Sequence, residues 1–254
     1  VGMSVLTVQL CNLRLAPVQV ASVGHPATTH SPMIDYMVMG RTYHDDAAAF
    51  SERVLLLQST GALFEPTVGS ECPEPEIREK PETLRMAISS SPLKLNAPFL
   101  LLCRDSEESA ARAVEFHVFP NEPGIRHRDC AHQVRRVLPH AIVHERADYD
   151  AYLDLINRCD IRLGTFPFGG ANTTMDAYLL GIPTLTMTGA EPHNRTDARF
   201  VALFDLPDWL AASDEQEYRD AAIRLIDDDA ERITLSQRIL DADPFRVLFE
   251  KEQA

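Results

Sequence analysis

The 254-residue sequence predicts a doubly wound α/β fold. Two observations lead there. Short β-branched or aliphatic runs alternate with stretches of helical period along most of the chain, and such alternation implies parallel strands joined by right-handed crossovers. The composition is that of an ordinary globular protein: 45% hydrophobic and 24% charged residues, with 11 Gly and 17 Pro. A chain of this length buries a sizeable core and forms one or two domains.

The elements follow in order. Residues 17–23 (PVQVASV), 34–39 (IDYMVM) and 54–58 (VLLLQ) read as strands. From 65 to 81 hydrophobicity drops, and Pro66, Pro73, Pro75 and Pro81 stand among acids. Proline at that density removes backbone donors and blocks helix, so the stretch reads as a linker, with a surface loop inside one domain as the alternative. Residues 84–89 (LRMAIS) and 114–119 (VEFHVF) are strand candidates, a helix covers 127–138, and a strand covers 141–144. Tyr149, Tyr152, Leu153 and Ile156 recur at i, i+3, i+4 and i+7, one stripe of a helix, with Asp148 placed to cap it. Residues 161–166 form a strand, 173–180 a helix closed by Gly181, and 182–187 a strand. From Ser213 the pattern is helical, with Tyr218, Ala222, Leu225 and Ile226 on one face. Val1 stands inside a patterned segment, so the sequence reads as part of a longer chain.

Charge narrows the partners. Against 38 Asp and Glu there are 24 Lys and Arg, a formal charge of −14. That balance argues against an extended nucleic-acid footprint or adsorption to an anionic membrane, while leaving room for one local basic pocket. No apolar run approaches the roughly 20 residues that span a bilayer, and nothing resembles a signal peptide. Cys11, Cys72, Cys103, Cys130 and Cys159 are odd in number, dispersed and free of any CxxC pair. They read as buried reduced thiols of a cytoplasmic protein, with neither a zinc site nor a disulfide scaffold.

In doubly wound sheets ligands bind beyond the carboxyl ends of strands, where loops enter helices. The segment Thr165-Phe-Pro-Phe-Gly-Gly-Ala-Asn-Thr-Thr-Met-Asp176 has that placement. Gly169 and Gly170 allow a tight turn, and Asn172, Thr173 and Thr174 open a helix whose free N–H groups and dipole favour a phosphate. Asp176, one turn in, suits ribose hydroxyls. On spacing alone Asn172, Thr173 and Thr174 are equally well explained as capping residues. Lys94, just beyond the strand at 84–89, is placed to neutralise a diphosphate or to sit in solvent. Gly24-His-Pro-Ala-Thr-Thr-His30 joins two strand candidates; His25 and His30 suit proton transfer in a polar cleft, and equally a structural role. No GxSxG, HExxH or GxxxxGK[ST] occurs, which disfavours serine-hydrolase, zinc-protease and P-loop chemistry.

Taken together, four stretches resemble glycosyltransferase family 41. They are Leu13-Arg-Leu-Ala-Pro-Val-Gln-Val20 running into Gly24-His-Pro-Ala-Thr-Thr-His-Ser31; Lys94-Leu-Asn96; Cys159-Asp160 with Phe166-Pro-Phe-Gly169 through Asp176; and Thr188-Gly-Ala-Glu191 with Leu206-Pro-Asp-Trp-Leu210. The family includes protein O-GlcNAc transferases and bacterial cytoplasmic N-glycosyltransferases that glucosylate adhesins, and the likeness is strongest to the second branch. It implies a GT-B fold: here the tail of an N-terminal Rossmann-like, acceptor-side domain (1–66), a linker (67–81) and a complete C-terminal Rossmann-like domain with a parallel sheet that binds a UDP-sugar (82–254). It further implies inverting transfer of a hexose, glucose by this branch, to a protein side chain, Asn in an N-x-S/T sequon, with no cofactor and no catalytic metal. Carried over by position, His25, His30 and Lys94 are the catalytic candidates. Lys94, Gly170, Asn172, Thr173 and Thr174 would meet the diphosphate, Asp176 the ribose, and His144, Arg146 and Tyr149 would border the uracil. The expected partners are the UDP-sugar and a protein acceptor such as an adhesin, with no nucleic acid and no membrane span, in the cytoplasm.

The departures bear on the acceptor. Gly-Gly-Ala-Asn-Thr-Thr stands where the adhesin branch carries a Gly-Asn-Thr-Asn-Gly run, so the phosphate loop leans toward the O-GlcNAc transferase pattern. Arg146 occupies a position that the adhesin branch fills with histidine. Transfer of GlcNAc or hexose to Ser or Thr is the alternative, as is a nucleotide-sugar-binding fragment without activity.

Overall fold

The computed structural model describes residues 4–22, 27–41, 47–57 and 65–249. Two parallel sheets organise them. After helix α1 (Val5–Cys11), the strands β1 (Val20–Ser22), β2 (Tyr36–Gly40) and β3 (Arg53–Leu57) pair in chain order, all parallel. Ala21, Met37, Met39 and Phe50 pack into a small core against them. The first strand is shorter than the run at 17–23 predicts. Upstream of Val20 the chain is held from the side instead: the Asp35 carboxylate takes the Gln19 N–H at 2.8 Å and pairs with Arg14 at 2.6 Å.

The larger sheet contains β4 (Thr83–Ser89), β5 (Ala113–Phe119), β6 (Ile142–Val143), β7 (Ile161–Leu163), β8 (Thr184–Met187) and β9 (Ala211–Ala212). Its order is β6-β5-β4-β7-β8-β9, every pair parallel. The chain therefore runs outward from β4 to one edge, returns to β7 beside β4, and runs outward to the other edge. Leu84, Met86, Ala87 and Ile88 of β4 are almost wholly buried, as a central strand covered on both faces requires. One apolar layer gathers helices α2 (Ala97–Ser109), α3 (Gly124–Arg135) and α7 (Glu215–Asp227) against the sheet. The other face is covered through Leu153 and Ile156 of α4 (Tyr149–Ile156) and Ala177 of α5 (Ala171–Leu179). Helices α6 (Ala198–Leu203), α8 (Asp229–Asp241) and α9 (Pro244–Phe249) complete the described chain.

The predicted elements of this sheet are present, with shifted ends. The strand expected at 161–166 stops at Leu163, and the helix expected from Thr173 begins at Ala171. It ends as expected at Gly181, whose φ of 68° is a conformation open to glycine. Helix α2 is an addition to the sequence expectations. Its start is nonetheless marked locally: Asn96 caps it by accepting the Phe99 N–H at 3.0 Å, and Pro98 follows in the first turn.

Residues 65–81 form neither helix nor strand. Their second half is strapped down: Asn157 bonds Glu74 and Glu76 backbone, and Arg78 reaches the buried Asp160 at 2.8 Å. Four of the five cysteines are buried as expected, but Cys72 on this strap is exposed. No helix among the described residues is long and apolar enough to cross a membrane.

Candidate functional site

The strand order reverses between β4 and β7, so the loops leaving their carboxyl ends part there and open a crevice. A cavity of about 560 Å³ occupies it. Ser89, Ser90 and Ser91 line it from the end of β4, residues 119–122 from the end of β5, residues 145–149 with Tyr152 and Leu155 from the approach to α4 and that helix itself, and Thr173 and Asp176 from α5. Ser89 Oγ and Tyr152 Oη, on two of the lining residues, are buried, with the tyrosine hydroxyl close to both Ser89 and Asp176. Such groups cost free energy unless something polar meets them.

Lys94, on a short turn after β4, is folded back onto the loop beyond β7, where its ammonium donates to the Gly169 carbonyl. The turn before α5 and the lysine, 75 residues apart, are thus brought together. Burial pulls the Lys94 pKa down, with nearby Asp197 opposing that and Arg162 adding to it. At the head of α5 the amides of Ala171, Asn172 and Thr173 precede the first intrahelical bond, Thr174 N–H to Gly170 O at 2.9 Å. These are the donors a helix start offers to an anion.

The threonine hydroxyls are placed differently from expectation. Thr174 is fully buried, and its Oγ1 donates to Gly170 O at 3.0 Å. Thr173 Oγ1 accepts from Arg162 Nη2 at 2.8 Å and lies within 3.2 Å of Ser89 O. Neither caps the helix by accepting an N–H; both donate back to the Gly170 carbonyl, because a β-branched hydroxyl in a first turn reaches the nearest carbonyl more easily than outward. Asn172 sits apart from this cavity, lining instead a smaller one of about 250 Å³ beside the 65–72 segment and α9.

Asp176 is 7% exposed, and its Oδ1 accepts the Tyr149 hydroxyl at 2.7 Å. Burial raises its pKa to about 6 despite that bond and the charge of Arg162. Tyr149 and Asp176 line both cavities. Arg146 lies on the rim of the larger one, exposed, with its side chain making no ion pair among the described residues. His144 is not at the cavity wall. Its ring stacks on Phe119 at 4.4 Å, and Phe119 is the wall residue. Behind it Nε2 meets His117 Nδ1 at 3.0 Å, and His117 Nε2 meets Glu115 at 2.8 Å. Burial, with the neighbouring His117 adding to it, lowers the His144 pKa to about 4, so the ring is neutral and acts as a support for Phe119.

His25 lies outside the described residues. His30 follows β1, exposed, with φ 52° and its N–H near Thr28 Oγ1; its ring makes no hydrogen bond among the described residues. The neighbouring Thr28 and Thr29 are tied instead to the buried Glu52, at 2.8 Å from Thr28 Oγ1.

Two residues of the site carry no local motif. Arg162 of β7 is fully buried beneath the head of α5. Asp197, 1% exposed, takes the Gly170 N–H on both carboxylate oxygens at 3.0 Å and lies 3.7 Å from Arg162 Nη1. A charged residue inside the apolar run at 161–163 was the available signal, since a buried charge demands a partner. Among the described residues no cluster of three or more His, Cys, Asp or Glu is arranged to hold a metal ion.

No family model matches the chain. The chain is 33% identical over 252 residues, 98% of its length, to a UDP-glucose:protein N-beta-glucosyltransferase of Actinobacillus pleuropneumoniae serotype 7, and spans 41% of that protein. It is 26% identical over 242 residues to a probable UDP-N-acetylglucosamine–peptide N-acetylglucosaminyltransferase SPINDLY of Oryza sativa, covering 85% of this chain and 24% of that one. The chain therefore spans about two fifths, or less, of these relatives. Among solved structures, a Thermobaculum terrenum O-GlcNAc transferase superposes with a TM-score of 0.77 at 19% identity, over 94% of this chain and 46% of that one. TarM superposes at 0.53 with 10% identity, over 87% of this chain and 41% of that one. These two likenesses concern the fold, which is the GT-B type: here a three-stranded parallel sheet followed by a six-stranded one. Along nearly its whole length the chain is thus similar to bacterial protein N-glucosyltransferases, in line with the resemblance to glycosyltransferase family 41 read from its motifs.

Proposed function

We propose that this chain binds a UDP-sugar and forms the donor half of an inverting transferase that moves a hexose, glucose, onto a protein asparagine in an N-x-S/T sequon. The observation that carries this reading is the switch-point crevice lined by the Tyr149–Asp176 pair and by Thr173 at the start of α5, with the Lys94 ammonium, outside the lining itself, tied to Gly169 just ahead of that helix. Uracil would lie in the cavity between Phe119 and Tyr149, beside Arg146. The ribose would meet Asp176, and the diphosphate the amides of residues 171–173 and Lys94.

In the reaction the acceptor nitrogen attacks the anomeric carbon from the face opposite UDP. The carbon–oxygen bond to the diphosphate breaks, UDP leaves with the electron pair, and the acceptor nitrogen gives up one N–H proton to a base on the acceptor side. Charge gathers on the β-phosphate as it departs, and an ammonium with a helix start beneath it stabilises that charge without a metal ion. His25 and His30 would serve the acceptor side, in the cytoplasm, where an adhesin is one fitting acceptor. Residues 1–66 would belong to the acceptor-side domain, 67–81 to the linker and 82–254 to the donor domain.

A second acceptor class has its own support: the Gly-Gly-Ala-Asn-Thr-Thr run and the likeness to SPINDLY favour Ser or Thr as acceptor and GlcNAc as sugar. Calorimetric titration with UDP, UDP-glucose and UDP-GlcNAc, with and without EDTA, tests the reading. UDP binding that survives EDTA supports it; absence of binding, or its loss to EDTA, overturns it. Mass spectrometry of a co-expressed acceptor distinguishes a modified Asn from a modified Ser or Thr.

A further inference from the structure

The Gly170 peptide is held from both sides. Its carbonyl accepts the Thr174 N–H at 2.9 Å and the Thr174 hydroxyl at 3.0 Å, while its N–H is turned inward onto the Asp197 carboxylate at 3.0 Å. Gly169 leaves the room this needs: a Cβ there would stand 2.7 Å from Asp197 Cγ and Oδ2. Asp197 is 1% exposed and lies 21 residues beyond Asp176 in sequence. A lone buried carboxylate at that point would repel a diphosphate. Arg162, fully buried and 3.7 Å away, supplies the opposing charge, and its Nη2 holds Thr173 at 2.8 Å. Its Nε and Nη1 make no hydrogen bond among the described residues.

We propose that Asp197 is a positioning residue for the diphosphate, acting through Gly170 and balanced by Arg162. It withdraws the Gly170 amide from the ligand and fixes the first turn of α5, so that the amides of residues 171–173 are the ones presented. Ordering that turn in advance removes an entropic cost from binding. This inference rests on the nucleotide reading above, and it separates the phosphate from the nucleoside: Asp197 is not among the residues that line the cavity.

The test is calorimetric titration of the whole chain with UDP and with uridine. The variants are Asp197→Asn, which removes the charge, and Gly169→Ala, which keeps it but crowds the carboxylate. Both should lose at least tenfold in UDP affinity while uridine affinity stays within twofold. An equal fall for both ligands means a merely structural residue and overturns the proposal, as does unchanged UDP affinity. Should Asp197→Asn fail to fold, with Arg162 left unbalanced, Gly169→Ala alone decides by the same criteria. If the unaltered chain binds UDP no better than uridine, the diphosphate reading itself has failed. That outcome is distinct from wild-type UDP binding that the variants preserve.

Discussion

Replacing Asp176 with Asn should make the protein more stable and a poorer nucleotide binder, and the stability gain should depend on pH in a defined way. The Asp176 carboxyl is 7% exposed, and burial moves its titration from the ordinary 3.8 to about 6. The folded state therefore holds this proton more tightly than the unfolded state. Below pH 3.8 there is no penalty. The penalty grows as pH rises from 3.8 to 6, and above 6 it is complete. At about 1.4 kcal/mol per pH unit the full cost is about 3 kcal/mol, of which about half is in force at pH 5. Asparagine keeps an oxygen for the Tyr149 hydroxyl, at 2.7 Å from Oδ1 in the native protein, but cannot ionise. The stability gap between Asp176→Asn and the native chain should therefore widen by roughly 1.5 kcal/mol between pH 5 and pH 8. In a chain of this size that is about 3–6 °C in Tm. Urea unfolding at both pH values measures it. A gap that stays constant, or narrows toward pH 8, would falsify the assignment of a buried, ionised carboxylate. The same variant should bind UDP roughly tenfold more weakly, since an anionic acceptor for ribose hydroxyls is worth about 1.5 kcal/mol more than a neutral one.

Two other substitutions separate the site from the scaffold. Lys94→Met removes the ammonium that donates to Gly169 O and keeps the stem; UDP affinity should fall about 10- to 100-fold, the worth of a charge-assisted contact, while uridine binding holds. A calorimetric UDP affinity within twofold of native would show that this ammonium does not meet the diphosphate. Arg232 is 1% exposed, at the amino ends of the strands, donating to Arg78 O at 2.8 Å and Asp229 at 2.9 Å. Arg232→Met should cost about 3–5 kcal/mol in urea unfolding, because Asp160 and Asp229 lose a buried partner, with UDP affinity of the folded fraction unchanged.

Much of this fold is legible in the sequence because parallel strands buried on both faces announce themselves as apolar runs. The run at 84–89 became the central strand, and the stripe Tyr149, Tyr152, Leu153, Ile156 became α4 with Asp148 capping it at 2.9 Å. Helix α2 was marked by Asn96, by Pro98 and by a buried stripe, Phe99, Leu102, Cys103 and Ser106 at i, i+3, i+4 and i+7, but the unbroken apolar run that adds Leu100 and the exposed Leu101 blurs that period in the sequence. The head of α5 was legible as Gly-Gly followed by capping residues. What the hydroxyls of Thr173 and Thr174 would do was not, because the choice between ligand and carbonyl is made by three-dimensional proximity. His144 illustrates the same limit: the right stretch of chain reaches the cavity, yet the ring serves it from behind Phe119. The Arg162–Asp197 pair joins residues 35 apart, and no local pattern links them.

A structure of the chain soaked with UDP tests the central claim most directly. The account predicts a diphosphate within hydrogen-bond reach of the amides of residues 171–173 and of Lys94 Nζ, with uracil between Phe119 and Tyr149. Nucleotide bound elsewhere, or a diphosphate turned away from the head of α5, would contradict it.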